Sequence, residues 1–176
     1  WLAGHVDERP DAPAIIQGDL RISYAELANR VDSLAGGLSN LGLELGEVVG
    51  VQLQNVAEYL ISYLAIARLG AVMTTLYMPH REREFEAHLR HSRARAVICL
   101  TDAGGFAAVK TALGLNLPNI RLVIAGGKDV AGAVSVVIMA AAFRADGRRT
   151  SEPWTDLANI GPLRALVHPI ATATAG

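Results

Sequence analysis

Val48-Val49-Gly50-Val51-Gln52-Leu53, then Asn55 to Leu69, then Gly70, then Ala71 to Leu76: the fold turns on this stretch. Its first run has the length and β-branched content of a buried strand. Asn55, followed three residues later by Glu58, signals a helix start with Asn55 as the expected N-cap. From Val56 to Leu69 only Glu58, Ser62 and Arg68 interrupt the apolar character, which predicts a helix covered on several faces, and Gly70 is its stop. Ala71 to Leu76 then predicts a second strand. A helix of that length between two strands is a crossover connection, and crossovers join parallel strands.

The same alternation continues downstream. A helix is expected over Arg81 to Ser92, a strand over Ala96 to Leu100, a helix near Gly105 to Leu113 and a strand over Leu122 to Ala125. Beyond Gly126 the stretch Val130 to Arg144 is compatible with helix or strand by composition. Upstream, Ala14-Ile15-Ile16 and Leu20-Arg21-Ile22 flank Gly18-Asp19 as a hairpin. Ser23-Tyr24-Ala25-Glu26 is a capping box. It opens a helix whose Leu27, Val31, Leu34, Ala35, Leu38 and Leu41 form one apolar stripe, with Gly42 placed for a left-handed end. The expected fold class is α/β, doubly wound, with a mainly parallel sheet covered by helices on both faces and a β-hairpin in front.

Composition narrows the function classes. The 176 residues carry 16 Lys plus Arg against 17 Asp plus Glu, a net charge of −1, which gives no electrostatic case for nucleic acid or an anionic membrane surface. A single Cys rules out an internal disulfide and a cysteine-only metal site, and it fits a reducing cytoplasm. The longest nearly uncharged apolar run, Val130 to Phe143, is shorter than the ~18 residues a transmembrane helix needs. No secretory signal opens the chain. Trp1 stands where an initiator Met is expected and Gly176 closes a small-residue run, so both ends read as cut.

Most chemical motifs fail on inspection. No Gly-x-Gly-x-x-Gly follows a strand, so a dinucleotide site has no support. Gly127 to Gly132 has the glycine spacing of a phosphate loop, but Ala133-Val134 stands where Lys and Ser or Thr are needed, so it reads as a surface turn. His88 and His91, with Glu84 one turn earlier, can share a helix face as metal ligands. Against that, Arg81-Glu82-Arg83-Glu84 and Arg90 make the face a solvated one, with Phe85 and Leu89 turned inward. Cys99 sits inside an apolar strand and reads as a small buried hydrophobe, not a nucleophile. His5, His80 and His168 have no recognisable partner. In the tail, Ala171-Thr172-Ala173-Thr174-Ala175-Gly176 follows the short apolar Ala165-Leu166-Val167, and its hydroxyls and amides can wrap a phosphate; a frayed terminus is the plain alternative.

The order and spacing of these segments resemble the amino-terminal part of the AMP-forming acyl-CoA synthetases, the adenylate-forming superfamily. The likeness runs from about Glu8 to Ala125. It is carried by Arg9-Pro10-Asp11-Ala12-Pro13-Ala14, by Ser23-Tyr24-Ala25-Glu26-Leu27, by Gly46-Glu47-Val48-Val49-Gly50-Val51 and by Gln54-Asn55. Tyr63-Leu64-Ala65-Ile66-Ala67-Arg68-Leu69-Gly70-Ala71-Val72 and His91-Ser92-Arg93-Ala94-Arg95-Ala96-Val97-Ile98 complete it.

The resemblance implies an enzyme that joins a carboxylic acid to ATP as an acyl-adenylate, with magnesium, and passes the acyl group to a thiol, usually CoA, as in fatty acid metabolism. It implies residues 1–160 as an amino-terminal α/β subdomain, and 161–176 as a tail at the expected place of the ATP phosphate loop. There Thr174 and Gly176 match the family's Thr-Ser-Gly-Thr-Thr-Gly run and Thr172 replaces Ser, while Ala171, Ala173 and Ala175 depart. The departures imply a degenerate loop or a tail read out of frame. Arg93 stands where the family often has Gly, and Thr75 where Pro is common. The family's remaining motifs fall beyond this chain, so no catalytic residue or metal ligand is assigned within it. The expected fragment is inactive alone, cytoplasmic, without a transmembrane segment, and self-associating through an apolar face left open. A non-catalytic α/β binding or interaction module that kept the scaffold and lost the ATP loop is the alternative.

Overall fold

The computed structural model describes residues 1–101 and 103–126, together with the backbone of 134 and 135. A short helix, α1 (Leu2–Glu8), precedes the hairpin strands β1 (Pro13–Gln17) and β2 (Leu20–Ser23). Then follow α2 (Tyr24–Asn40), β3 (Val48–Gln52), α3 (Ala57–Arg68), β4 (Val72–Thr75), α4 (Glu82–His91), β5 (Ala96–Leu100), α5 (Ala108–Gly114), β6 (Leu122–Gly126) and β7 (Val134–Ser135). β3 to β7 form one parallel sheet in the order β4-β3-β5-β6-β7. The chain steps from β3 to one side, then crosses to the other, so the winding reverses between β3 and β5.

Both faces of the sheet are buried along β3, β5 and β6. On one, Val49, Val51, Ala96, Ile98 and Ile124 pack against α2 and α3. On the other, Val97, Cys99, Val123 and Ala125 pack against α4 and α5. The doubly wound α/β expectation therefore holds, because alternate residues of each strand point to opposite faces and each face needs its own helical cover.

The local signals act as expected in most places. Gly18 takes φ 57° at the first turn position of the hairpin. Ser23 Oγ accepts from the Glu26 amide at 3.2 Å, and Glu26 Oε2 accepts from the Ser23 amide at 2.9 Å. The stripe residues Leu27, Val31, Leu34, Ala35 and Leu38 are buried.

Three helices end in the same way. After α2, the Gly42 amide donates to Ser39 and the Leu43 amide to Leu38. After α3, Gly70 donates to Ala67 and Ala71 to Ile66; after α4, Arg93 donates to Arg90 and Ala94 to Leu89. Each is a paired closure around a left-handed residue, at φ 85°, 69° and 53° respectively. The third of these is Arg93, where the Cβ makes that conformation costly.

Two expectations about α3 need correction. Its N-cap is Val56, not Asn55, and no side chain of its own cap region bonds the first turn. Instead Gln17 Oε1, at the end of β1, accepts from the Ala57 amide at 2.8 Å. The hairpin thus caps the helix from forty residues away in sequence, leaving nothing for Asn55 to do. Nor is α3 covered on several faces. Tyr63 is 50% exposed and Ala67 is also open: among the described residues α2 and the sheet cover one side of the helix and leave the other free. The α1 helix carries no capping or periodic signal and was not expected.

At the amino-terminal ends of the strands, Glu47 ties three strands together. Its Oε1 accepts from Arg95 Nε at 2.8 Å and from Arg121 Nη2 at 2.6 Å, and its Oε2 accepts from the Glu44 amide at 3.0 Å. The backbone ladder runs through the same residues: Arg95 donates to the Val48 carbonyl and Arg121 to the Arg95 carbonyl, both at 2.8 Å. Burial pushes the Glu47 carboxyl up, but the hydrogen bonds from Arg95 and the Glu44 amide and the charges of Arg121 and Arg95 outweigh it. The net effect holds the carboxyl below its ordinary 4.5.

Two outcomes follow from these geometries. Arg93→Gly removes a left-handed Cβ from an exposed position and is expected to stabilise the chain by about 0.5–1 kcal/mol in urea unfolding; a loss of stability refutes the strain. Glu47→Gln is expected to cost about 1–2 kcal/mol at neutral pH, discounted for the partial exposure of both arginines. A carboxyl held low stabilises the fold above its unfolded pKa and loses that contribution as pH falls through the folded value. The difference in urea midpoint between the parent chain and the Glu47→Gln variant should therefore close at acid pH, and a pH-independent difference contradicts the assignment.

Candidate functional site

In open parallel sheets the usual binding place is the crevice beyond the carboxyl ends of the strands where the winding reverses. Here that rim lies past β3 and β5. It is built from Gln52 and Leu53 at the end of β3, Leu100 and Thr101 at the end of β5, and the β4–α4 loop, Leu76 to Arg81.

Gln52 organises the rim. It is a polar side chain with no exposed surface at the end of an otherwise apolar strand. Its Nε2 donates to the Tyr77 carbonyl at 3.1 Å and to the His80 carbonyl at 3.5 Å. From the other side Arg81 Nη1 donates to the carbonyls of Met78, Pro79 and His80 at 3.2, 2.9 and 3.1 Å. All four loop carbonyls from Tyr77 to His80 thus face fixed donors, which sets the loop and leaves Tyr77 66% exposed on its outside. The Arg81 guanidinium also lies over the Phe106 ring, 5.9 Å from its centroid, and Phe106 meets Phe85 edge-on. Gln52 Oε1 and His80 Nδ1 are buried and have no partner among the described residues.

The residues singled out from sequence fall as follows. Phe85 and Leu89 are buried, and Arg81, Glu82, Arg83, Glu84 and Arg90 are exposed, so the solvated-face reading of α4 holds. His88 Nε2 is engaged with Thr74 Oγ1 at 2.8 Å, and no group of three His, Cys, Asp or Glu among the described residues can hold a metal. Glu84 is held below its ordinary value chiefly by backbone hydrogen bonds in the first turn of α4, with the Arg81 amide as one donor. Cys99 is fully buried, and that burial pushes its thiol up to about 12, so it stays protonated and inert. His5 does have partners: it stacks near Tyr24 and meets Trp1 edge-on. Thr172, Thr174, Gly176, His168 and the Gly127–Gly132 turn lie outside the described residues.

Sequence reasoning missed Gln17, Arg81 and Gln52. For Gln52 a signal was present, since one polar residue ending a run of valines either faces solvent or bonds something buried. For Gln17 and Arg81 there was none, as both act on backbone groups distant in sequence or within an irregular loop. Among the described residues the rim carries hydrogen-bonding groups and an exposed aromatic ring, but no nucleophile set against an activating base.

Comparison with known proteins gives a consistent answer. The family model described as AMP-binding enzyme matches residues 2–159. Protein Y of Streptomyces griseus is 35% identical over 133 residues, 74% of this chain and 43% of that protein. A 2-hydroxy-7-methoxy-5-methyl-1-naphthoate–CoA ligase of Streptomyces carzinostaticus is 32% identical over 131 residues, 73% of this chain and 24% of that protein. In structure, an anthranilate CoA ligase in complex with anthranoyl-AMP superposes with a TM-score of 0.72 over 80% of this chain and 27% of that one, at 24% identity, which speaks to the fold. An acetoacetyl-CoA synthetase from Streptomyces lividans gives 0.68 over 86% of this chain and 25% of that one, at 25% identity. The chain thus spans less than half the length of these relatives.

Gln52→Leu tests the organisation of the rim. It keeps the strand apolar but removes one donor from each of the Tyr77 and His80 carbonyls, which keep the His80 amide and Arg81 as partners, a loss of about 0.5–1.5 kcal/mol. Native-state trypsin cleavage after Arg81 and Arg83 is expected to speed up several-fold while the β-sheet circular dichroism signal persists. Unchanged cleavage means that Gln52 does not hold the loop.

Proposed function

The chain belongs to the AMP-binding enzyme family, and from that premise we propose that residues 1–160 are the amino-terminal wall of an ATP-dependent, AMP-forming acid–thiol ligase. In such an enzyme a carboxylate oxygen attacks the α-phosphorus of ATP, the bond to the β-phosphate breaks, and pyrophosphate leaves with magnesium. The sulfur of CoA then attacks the acyl carbonyl of the adenylate and AMP departs with the electron pair. The observation that carries the reading is the family match over most of the chain, together with relatives that are themselves described as CoA ligases.

Within this proposal the chain's own residues bind and shape, and they move no protons. The rim formed by Gln52 and the Tyr77–His80 loop borders the cleft, and Tyr77 is the large side chain it presents. Residues 161–176 stand at the phosphate-loop position, where Thr172, Thr174 and the backbone of Gly176 would meet ATP phosphates through hydroxyls and amides. No described helix is long and apolar enough to cross a membrane; a cytoplasmic setting, with an acid, ATP and CoA as small-molecule partners, goes with the reading. The isolated chain is proposed to be inactive and to self-associate through apolar surface that includes Tyr63, Val72 and Tyr77.

The test is carboxylate-dependent exchange of labelled pyrophosphate into ATP, measured for this chain and for the chain expressed with whatever coding sequence follows residue 176. Exchange by the longer form with at least one acid, CoA-dependent AMP release with that acid, and neither with the 176-residue chain is the expected pattern. Exchange by the short chain, or none by the longer one across aliphatic and aromatic acids, overturns it.

A further inference from the structure

At the opposite end of the strands from the rim, a shallow cleft opens between the end of α2 and the starts of β5 and β6. Leu41, Leu43 and Leu122 line it together with Arg95, Arg121 and Glu47. Nothing about the ligase reading uses this place.

The charges here do not balance. Two guanidiniums share one carboxylate oxygen, which leaves a net positive charge at the mouth. Arg95 spends only its Nε on Glu47, and Arg121 only its Nη2, so the other N–H groups of both forks have no partner among the described residues. One arginine would suffice to neutralise Glu47, yet Arg121 is held at 2.6 Å with its side chain 53% exposed.

We propose that this cleft binds a small carboxylate carried on a short apolar body. A guanidinium fork matches a carboxylate in two parallel hydrogen bonds. A monoanion balances the single excess charge, and Leu41, Leu43 and Leu122 offer the apolar tail a dry contact. The site is separate from the proposed acid-activation cleft, since the two lie at opposite ends of the parallel strands, and its failure leaves the ligase reading standing.

The experiment is a titration of the ¹⁵N-labelled 176-residue chain with sodium butyrate, sodium acetate and sodium chloride at matched ionic strength. Butyrate is expected to give saturable shifts at the Leu43 and Ala96 amides and the Arg95 and Arg121 Nε–H signals. Acetate should bind at least threefold more weakly, and chloride should give no saturation. Arg121→Gln should weaken butyrate at least tenfold while distant signals stay in place. If that variant does not fold, Arg121→Lys, which keeps the charge and loses the fork, is read instead and should weaken butyrate at least threefold. Non-saturating shifts, equal responses to chloride, acetate binding as tightly as butyrate, or undiminished binding by the variant overturns the site.

Discussion

The central strand β5 presents Ala96 and Ile98 to the α2–α3 side and Val97 and Cys99 to the α4–α5 side, and all four are fully buried. A strand in that position has no water for its backbone, so its amides and carbonyls must be taken up by β3 on one side and β6 on the other. Parallel neighbours demand crossovers, and crossovers supply the helices that keep both faces dry. The arrangement closes on itself. Where a helix comes nearest the sheet, the strand gives way in size: a Cβ at Gly50 would sit 2.6 Å from Leu89 Cδ2 of α4.

Polar groups meet this dry interior at both strand ends, and each end handles them differently. At the amino ends Glu47 and two arginines lie one residue outside the β5 and β6 ladders. A two-residue slip of either strand, about 6.6 Å, would pull its arginine off the carboxylate. The interaction therefore fixes register as well as adding stability. At the carboxyl ends Gln52 does comparable work without charge, adding a donor to the Tyr77 and His80 carbonyls, which also accept from the His80 amide and from Arg81. One end is held by a carboxylate that acid neutralises; the other is held by the Gln52 amide and the Arg81 guanidinium, neither of which titrates in the acid range.

Much of this was legible in the residues. The β5 boundaries, Ala96 to Leu100, coincide with the apolar run, since a strand buried on both faces has no alternation to blur its ends. The capping box at Ser23 and the left-handed Gly42 and Gly70 were readable because their chemistry is local. Asn55 shows where local reading stops. Its spacing to Glu58 looks like a cap, yet a side chain from the hairpin reaches Ala57 first, and no short-range signal announces Gln17. At the rim Gln52 stood out as a polar end to an apolar strand, but what it bonds was hidden. Gln52 and Arg81 act on carbonyls of an irregular loop, where neither helical nor strand periodicity exists to be read.

The stiffness of that loop bears on what the layer is for. A segment whose carbonyls from Tyr77 to His80 are all met by Gln52 or Arg81 has little freedom to rearrange around a ligand. Its outer surface, with Tyr77, is thus presented in one geometry. A preformed wall of this kind lowers the entropy lost on binding without contributing a reacting group. Under the proposed ligase reading, such a layer would supply one fixed side of the cleft. The high apolar content of the sequence then has a physical reading. It is the material of a sheet that buries apolar residues on two faces.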